Sequence, residues 1–191
     1  MPTIPTRRPA SPGDVQSPPG CRLGVQSAGP IGSVDGEPRF ILDGHLGRLS
    51  RRLRMLGYDC LYRADFADED LARNAVAEAR YLLSRDRRLL MRKAISRGYL
   101  VRNLDTARQL VEVARHFELL RWMTPFTRCI RCNHVLRVAA KQDVLDKLQP
   151  LTRLYYEEFR LCPTCGQVYW SGSHVEHMRK VILDLGSEQP T

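Results

Sequence analysis

Two sets of side chains in this sequence have the types and spacing for chemistry. The first is Cys129-x-x-Cys132, followed after 29 residues by Cys162-x-x-Cys165. Two such pairs, each on a tight turn, supply four thiolates for tetrahedral zinc, and Pro163 and Gly166 are residues that shape such a turn. Four thiolates fill the coordination sphere, so the zinc is expected to be structural and not catalytic. A redox pair or a disulfide is the competing reading. The second set is acidic. Asp43 ends the apolar run Phe40-Ile41-Leu42, Asp65 and Asp68 follow the run Tyr58 to Tyr62, and Asp86 follows Tyr81-Leu82-Leu83. Two carboxylates about 4 Å apart repel by roughly 4 kcal/mol at an effective dielectric of about 20. Gathered in one place, Asp43, Asp68 and Asp86 would need a cation or a proton. Magnesium or manganese suits them, because hard cations prefer oxygen ligands. Such an ion lowers the pKa of bound water and stabilises charge on a phosphoryl oxygen. The competing reading makes Asp68 and Asp86 helix N-caps.

Arginines surround these acids. Arg48, Arg51, Arg52 and Arg54 follow Asp43, largely off the apolar stripe of their helix, and Arg85, Arg87 and Arg88 flank Asp86. Arginine's planar fork suits phosphate. Arg48 and Arg51, one turn apart near the acids, are expected to contact substrate phosphate, as is Arg85. Arg52 and Arg54 read as a solvated face. An acidic pocket inside a basic rim is the pattern of a metal-dependent nuclease, in which arginines hold the backbone and carboxylates hold the metal.

The elements that must position these groups are legible from periodicity. After the strand at 40–42, Leu46, Leu49, Leu53 and Leu56 form the stripe of an amphipathic helix that Gly57 closes. Tyr58 to Tyr62 predicts a second strand and Asp68 the N-cap of a helix to about Ala79. Tyr81-Leu82-Leu83 is a third strand, with a helix from Asp86 to near Gly98. Tyr99-Leu100-Val101 is a fourth, with a helix from Asp105 to about Phe117. This alternation predicts βαβ units and a parallel α/β sheet flanked by helices. Ligands bind such sheets outside the carboxyl ends of the strands, where Asp43, Asp65, Asp68, Asp86 and Asp105 recur. Beyond Arg128 the pattern changes to the cysteine pairs, a polar helix-like stretch at Lys141–Leu148 and Pro150 as a breaker. His134, His174 and His177 are spare polar groups there. Tyr169 and Trp170 are suited either to base stacking or to a small ribbon core. Cys60 reads as a small buried hydrophobe.

Composition narrows the class. The chain of 191 residues carries 30 Lys plus Arg against 21 Asp plus Glu, a formal net charge of +9. That charge, most of it between residues 39 and 127, favours a polyanionic partner. Hydrophobic residues at 43% are enough for a core, and no apolar run approaches a membrane span. Six cysteines are too few for a disulfide-dense secreted scaffold, which points to a cytoplasmic protein without a membrane partner. Residues 1–38 hold eight of the twelve prolines and six of the thirteen glycines, and read as a disordered tail.

Three stretches carry a family resemblance. Phe40-Ile41-Leu42-Asp43-Gly44-His45-Leu46-Gly47-Arg48-Leu49-Ser50-Arg51-Arg52-Leu53-Arg54 resembles the opening of the RNase domain named after the C-terminus of the Mut-seven exonuclease. Leu83-Ser84-Arg85-Asp86-Arg87-Arg88-Leu89-Leu90 resembles its second signature, and Cys162 to His174 its third. The resemblance implies a PIN-like nuclease fold over residues 39–127 followed by a zinc ribbon over 128–185. It further implies RNA cleavage, with Asp43, Asp68 and Asp86 on the catalytic metal. Asp65, Asp70 and Asp105 are the candidates for the additional acids of PIN domains. A non-catalytic RNA-binding protein of the same fold is the alternative. A phosphoryl hydrolase of another α/β family is disfavoured, because Gly44-His45 follows Asp43 with no Asp-x-Asp motif.

Overall fold

The computed structural model describes residues 36–170 and Gly172. The N-terminal segment read as a tail lies almost wholly outside the described residues, as do His174, His177 and the end of the expected ribbon. Among the described residues no helix is long and apolar enough to cross a membrane.

The first half is a four-stranded sheet, β1 (Phe40–Leu42), β2 (Cys60–Tyr62), β3 (Tyr81–Ser84) and β4 (Gly98–Leu100). The strands lie in the order β2-β1-β3-β4, and every pairing is parallel. A parallel sheet is covered on both faces, which is why β1 is a continuous apolar run with all three residues fully buried. Alternation along the strands divides the core. Phe40, Leu42 and Leu83 face α1 (Gly47–Met55) and α4 (Thr106–His116), packing on Leu49, Leu53, Leu110, Val113 and Phe117. Ile41 and Leu82 face the other way, onto Leu71 and Ala75 of α2 (Asp68–Ala77) and Leu89 of α3 (Arg87–Leu90).

Several expected boundaries move. Tyr58 is not in β2. It is buried ahead of the strand, where its hydroxyl donates to the Leu119 carbonyl. The helix after β3 is a single turn and does not run to Gly98. The chain turns after Met91 so that Leu90 and Ile95 reach the second core and Arg92 reaches back to α2. Asp68 is not an N-cap. Ala67 holds that position without a side-chain hydrogen bond, and Asp68 is the first helical residue. Gly57 does follow α1, at φ +102, where a Cβ would stand 2.2 Å from the Thr124 carbonyl oxygen.

The second half is a three-stranded antiparallel sheet of β5 (Arg137–Ala139), β6 (Phe159–Leu161) and β7 (Val168–Trp170), in that order. The polar stretch at Lys141–Lys147 is a 3-10 helix, and its Val144 packs with Leu148, Phe159, Leu161 and Val168. Pro150 starts a helix instead of breaking one. It is the first residue of α5 (Pro150–Tyr155), where its missing N–H is no loss and its fixed φ is already helical.

Candidate active site and metal centre

In the order β2-β1-β3-β4, β1 and β3 are neighbours whose following segments depart to opposite faces. Their carboxyl ends form the crevice where open α/β sheets bind ligands. Asp43 stands at the end of β1 and is only 5% exposed. Its backbone N–H donates to the Leu83 carbonyl on β3, 3.2 Å away. The His45 amide donates to its Oδ1 at 2.7 Å, and the Ser84 hydroxyl donates to its Oδ2. Ser84 Oγ in turn accepts from the Asp86 amide at 2.8 Å. Asp86 caps α3, its Oδ1 accepting from the Arg88 amide at 2.7 Å. Each of these carboxylates keeps acceptor capacity beyond its cap, because an ionised carboxylate offers about four lone-pair sites.

Ser84 is a site residue that the sequence reading passed over. A small hydroxyl residue closing an apolar strand, in Leu82-Leu83-Ser84-Arg85-Asp86, was the available signal, and it is fully buried. Asp68 is not part of this hydrogen-bonded unit. Its carboxylate is paired with Arg92 at 2.9 Å, and Glu69 takes the other end of the same guanidinium at 2.9 Å. The further acids are also engaged elsewhere. Asp65 pairs with Arg63, Asp70 with Arg73, and Asp105 caps α4.

The arginines divide. Arg48 and Arg51 are exposed on α1 and Arg85 is exposed beyond β3. Arg54 does not belong to a solvated face. It is 4% exposed and donates from Nε to the Cys60 carbonyl at 2.9 Å. Its Nη1 donates to the carbonyls of Ile130 (3.0 Å) and Arg131 (2.9 Å) in the first cysteine turn. Asn133 completes the joint. Its Oδ1 accepts from the Cys60 amide at 2.9 Å and its Nδ2 donates to Asp59 at 2.7 Å. The free edge of β2 is therefore occupied by the cysteine turn.

Cys129, Cys132, Cys162 and Cys165 place their four sulfurs within 4.8 Å of one another. Among the described residues this is the one group of three or more Cys, His, Asp or Glu side chains placed to share an ion. Cys129–Cys165 and Cys132–Cys162 are 3.5 and 3.3 Å apart. Both are far beyond the roughly 2.05 Å of a disulfide and near the roughly 3.8 Å edge of a tetrahedron with zinc–sulfur bonds of about 2.3 Å. Burial pushes the Cys129 thiol up, but hydrogen bonds from Tyr169 and the neighbouring turn outweigh it and bring it down to about 6. Burial and the adjacent thiols push Cys132 up to about 12 and move Cys165 the same way. One thiolate forms readily and opposes the next, a charge problem that a divalent cation removes. Tyr169 serves this turn, its hydroxyl 3.1 Å from Cys129 Sγ while accepting from the Ile130 amide at 3.1 Å. His134 supplies a backbone carbonyl to the Cys129 amide.

The family model described as the Mut7-C RNAse domain matches residues 38–182, about three quarters of the chain and all of both sheets. The chain belongs to this family. Its members are RNase domains by description, which points to a nuclease- or RNA-related function. Comparison with curated proteins and with solved structures found no match.

Proposed function

We propose that this chain is a metal-dependent ribonuclease that hydrolyses RNA phosphodiester bonds at the carboxyl ends of β1 and β3. The observation that supports it most is the buried Asp43 carboxylate, fixed by Ser84 beside Asp86 at the switch point of the sheet. A buried carboxylate held by neutral donors, with a second acid just past the end of the adjacent strand, is an oxygen donor set of the kind magnesium or manganese takes. Asp43 and Asp86 would hold the ion, and Asp68 would join them on releasing Arg92. Bound there, the metal supplies a low-pKa water and stabilises charge on the scissile phosphate. Ser84 orients Asp43, while Arg48, Arg51 and Arg85 hold the RNA backbone. The four cysteines hold a structural zinc, and the ribbon they organise assists RNA binding. Reduced, closely packed thiols fit a cytoplasmic location.

The ion pair of Asp68 with Arg92 favours a second reading, a PIN-like protein that binds RNA without cutting it. Labelled RNA incubated with and without manganese, beside Asp43→Asn and Asp86→Asn proteins, separates the two. Manganese-dependent cleavage lost in both variants, with RNA affinity retained, supports the nuclease. Binding without cleavage supports the second reading, and cleavage that survives both substitutions removes the acids from the mechanism.

A further inference from the structure

Arg48, Arg51 and Arg52 line an open cleft of about 410 Å³ together with Asp105 and Thr106, at the start of α4. The three arginines stand at i, i+3 and i+4 of α1, so their charges share one helix face and repel. None of their guanidinium groups has a hydrogen bond or ion pair among the described residues, although the charge of Arg52 acts at a distance on Asp105, whereas Arg39, Arg63, Arg73, Arg80 and Arg92 are all ion-paired. The acid in the cleft does not neutralise them by contact. Asp105 Oδ1 is taken up by the amides of Ala107 and Arg108, at 2.9 and 3.0 Å. The amino end of α4 is thus satisfied by its own cap, and the attraction for an anion rests with the guanidinium groups.

The place of the cleft gives it meaning. α1 begins directly after the turn capped by Asp43, and Asp105 follows β4, so the cleft lies at the same carboxyl edge of the sheet as Asp43 and Asp86. We propose that the cleft binds one phosphate group of the RNA strand, with Arg48, Arg51 and Arg52 as its ligands and Thr106 adding a hydroxyl. It sets where the strand lies relative to the acidic edge. The proposal rests on the nuclease reading for the identity of the polyanion. The phosphate is either an internal diester or a terminal monoester, and the two lead to different cleavage behaviour.

The test is fluorescence anisotropy with short single-stranded RNAs of equal length, labelled at the 3′ end and carrying a 5′-phosphate or a 5′-hydroxyl. It uses the full chain without added divalent metal, across a salt series. Arg51→Gln and Arg52→Gln are each expected to weaken binding roughly ten-fold and to flatten the salt dependence by about 0.7 of a logarithmic unit per decade. Arg97, ahead of β4 at the opposite edge of the sheet, is the control. Loss shared by both RNAs assigns an internal diester, and loss confined to the 5′-phosphorylated RNA assigns a terminal monoester; either supports the site. Unchanged affinity, no RNA binding by the wild type, or an equal loss in Arg97→Gln overturns it. Cleavage is scored separately with manganese. A wild type that binds through these arginines but does not cut would defeat the nuclease reading and leave the phosphate site standing.

Discussion

The Ser84 hydroxyl donates to the buried Asp43 carboxylate across the junction of β1 and β3, while its oxygen accepts from the Asp86 amide. One side chain thereby fixes two acids that lie 43 residues apart in sequence. Ser84→Ala is expected to leave Asp43 with a single amide donor and to raise the manganese concentration for half-maximal cleavage by roughly 10- to 100-fold, as losses of orienting partners do. The measurement is a manganese titration of cleavage, with thermal unfolding beside it. If the titration midpoint stays in place while the protein is only less stable, Ser84 serves packing alone.

Arg92 holds the Asp68 carboxylate that the proposed metal site would use. It holds Asp68 and Glu69 at 2.9 Å each from outside the sheet, on the turn after α3. Arg92→Gln is expected to lower the manganese concentration for half-maximal activity, because it frees a carboxylate at the start of α2. Its effect on stability should be within about 1 kcal/mol, since partly exposed ion pairs contribute little. A midpoint that does not move, or moves upward, would assign Asp68 to α2 and Arg92 and not to the metal.

Periodicity alone was enough to place the parallel sheet, because strands buried on both faces are apolar throughout and leave no ambiguity of face. The cysteine turns were legible for a different reason: two close Cys-x-x-Cys pairs are the spacing of a tetrahedral thiolate site. What could not be seen was contact between distant segments. Nothing local distinguishes Arg54 from Arg52, yet the first is buried against the cysteine turn and the second borders an open cleft. Asp68 carried a good N-cap signal, but a cap is chosen by backbone geometry, and the chain enters α2 one residue earlier. The short α3 likewise follows from tertiary demands on Ile95 and Arg92 that no helical period encodes.

Arg54 makes the cysteine turn part of the α/β unit. Arg54→Met keeps length and removes the charge, leaving the carbonyls of Cys60, Ile130 and Arg131 without their donor. A cost of about 2–4 kcal/mol is expected, since buried acceptors lose their desolvation compensation. Zinc chelation should act along the same path, because the turn that carries Cys129 and Cys132 is the one that closes the β2 edge. Circular dichroism of the helices during chelation checks this. Unfolding that begins at the ribbon and leaves α1 and α4 at full amplitude would show that the joint does not transmit.

Asp59 gives the joint a pH dependence. Burial alone would raise its pKa, but hydrogen bonds from Arg80 and Asn133 and the nearby charge of Arg128 bring it down to about 2. Its ordinary value is 3.8, so the folded state holds the proton less tightly than the unfolded chain does. The stabilisation is therefore fully present above pH about 4 and is lost as pH falls toward 2, amounting to about 2 kcal/mol. Asp59→Asn should remove most of that dependence in urea unfolding measured between pH 5 and pH 2 while lowering stability at pH 7. The loss at pH 7 should be larger than in Asp65→Asn, whose pair with Arg63 is exposed on both sides. Equal pH profiles for Asp59→Asn and the wild type would place the acid sensitivity in other carboxylates.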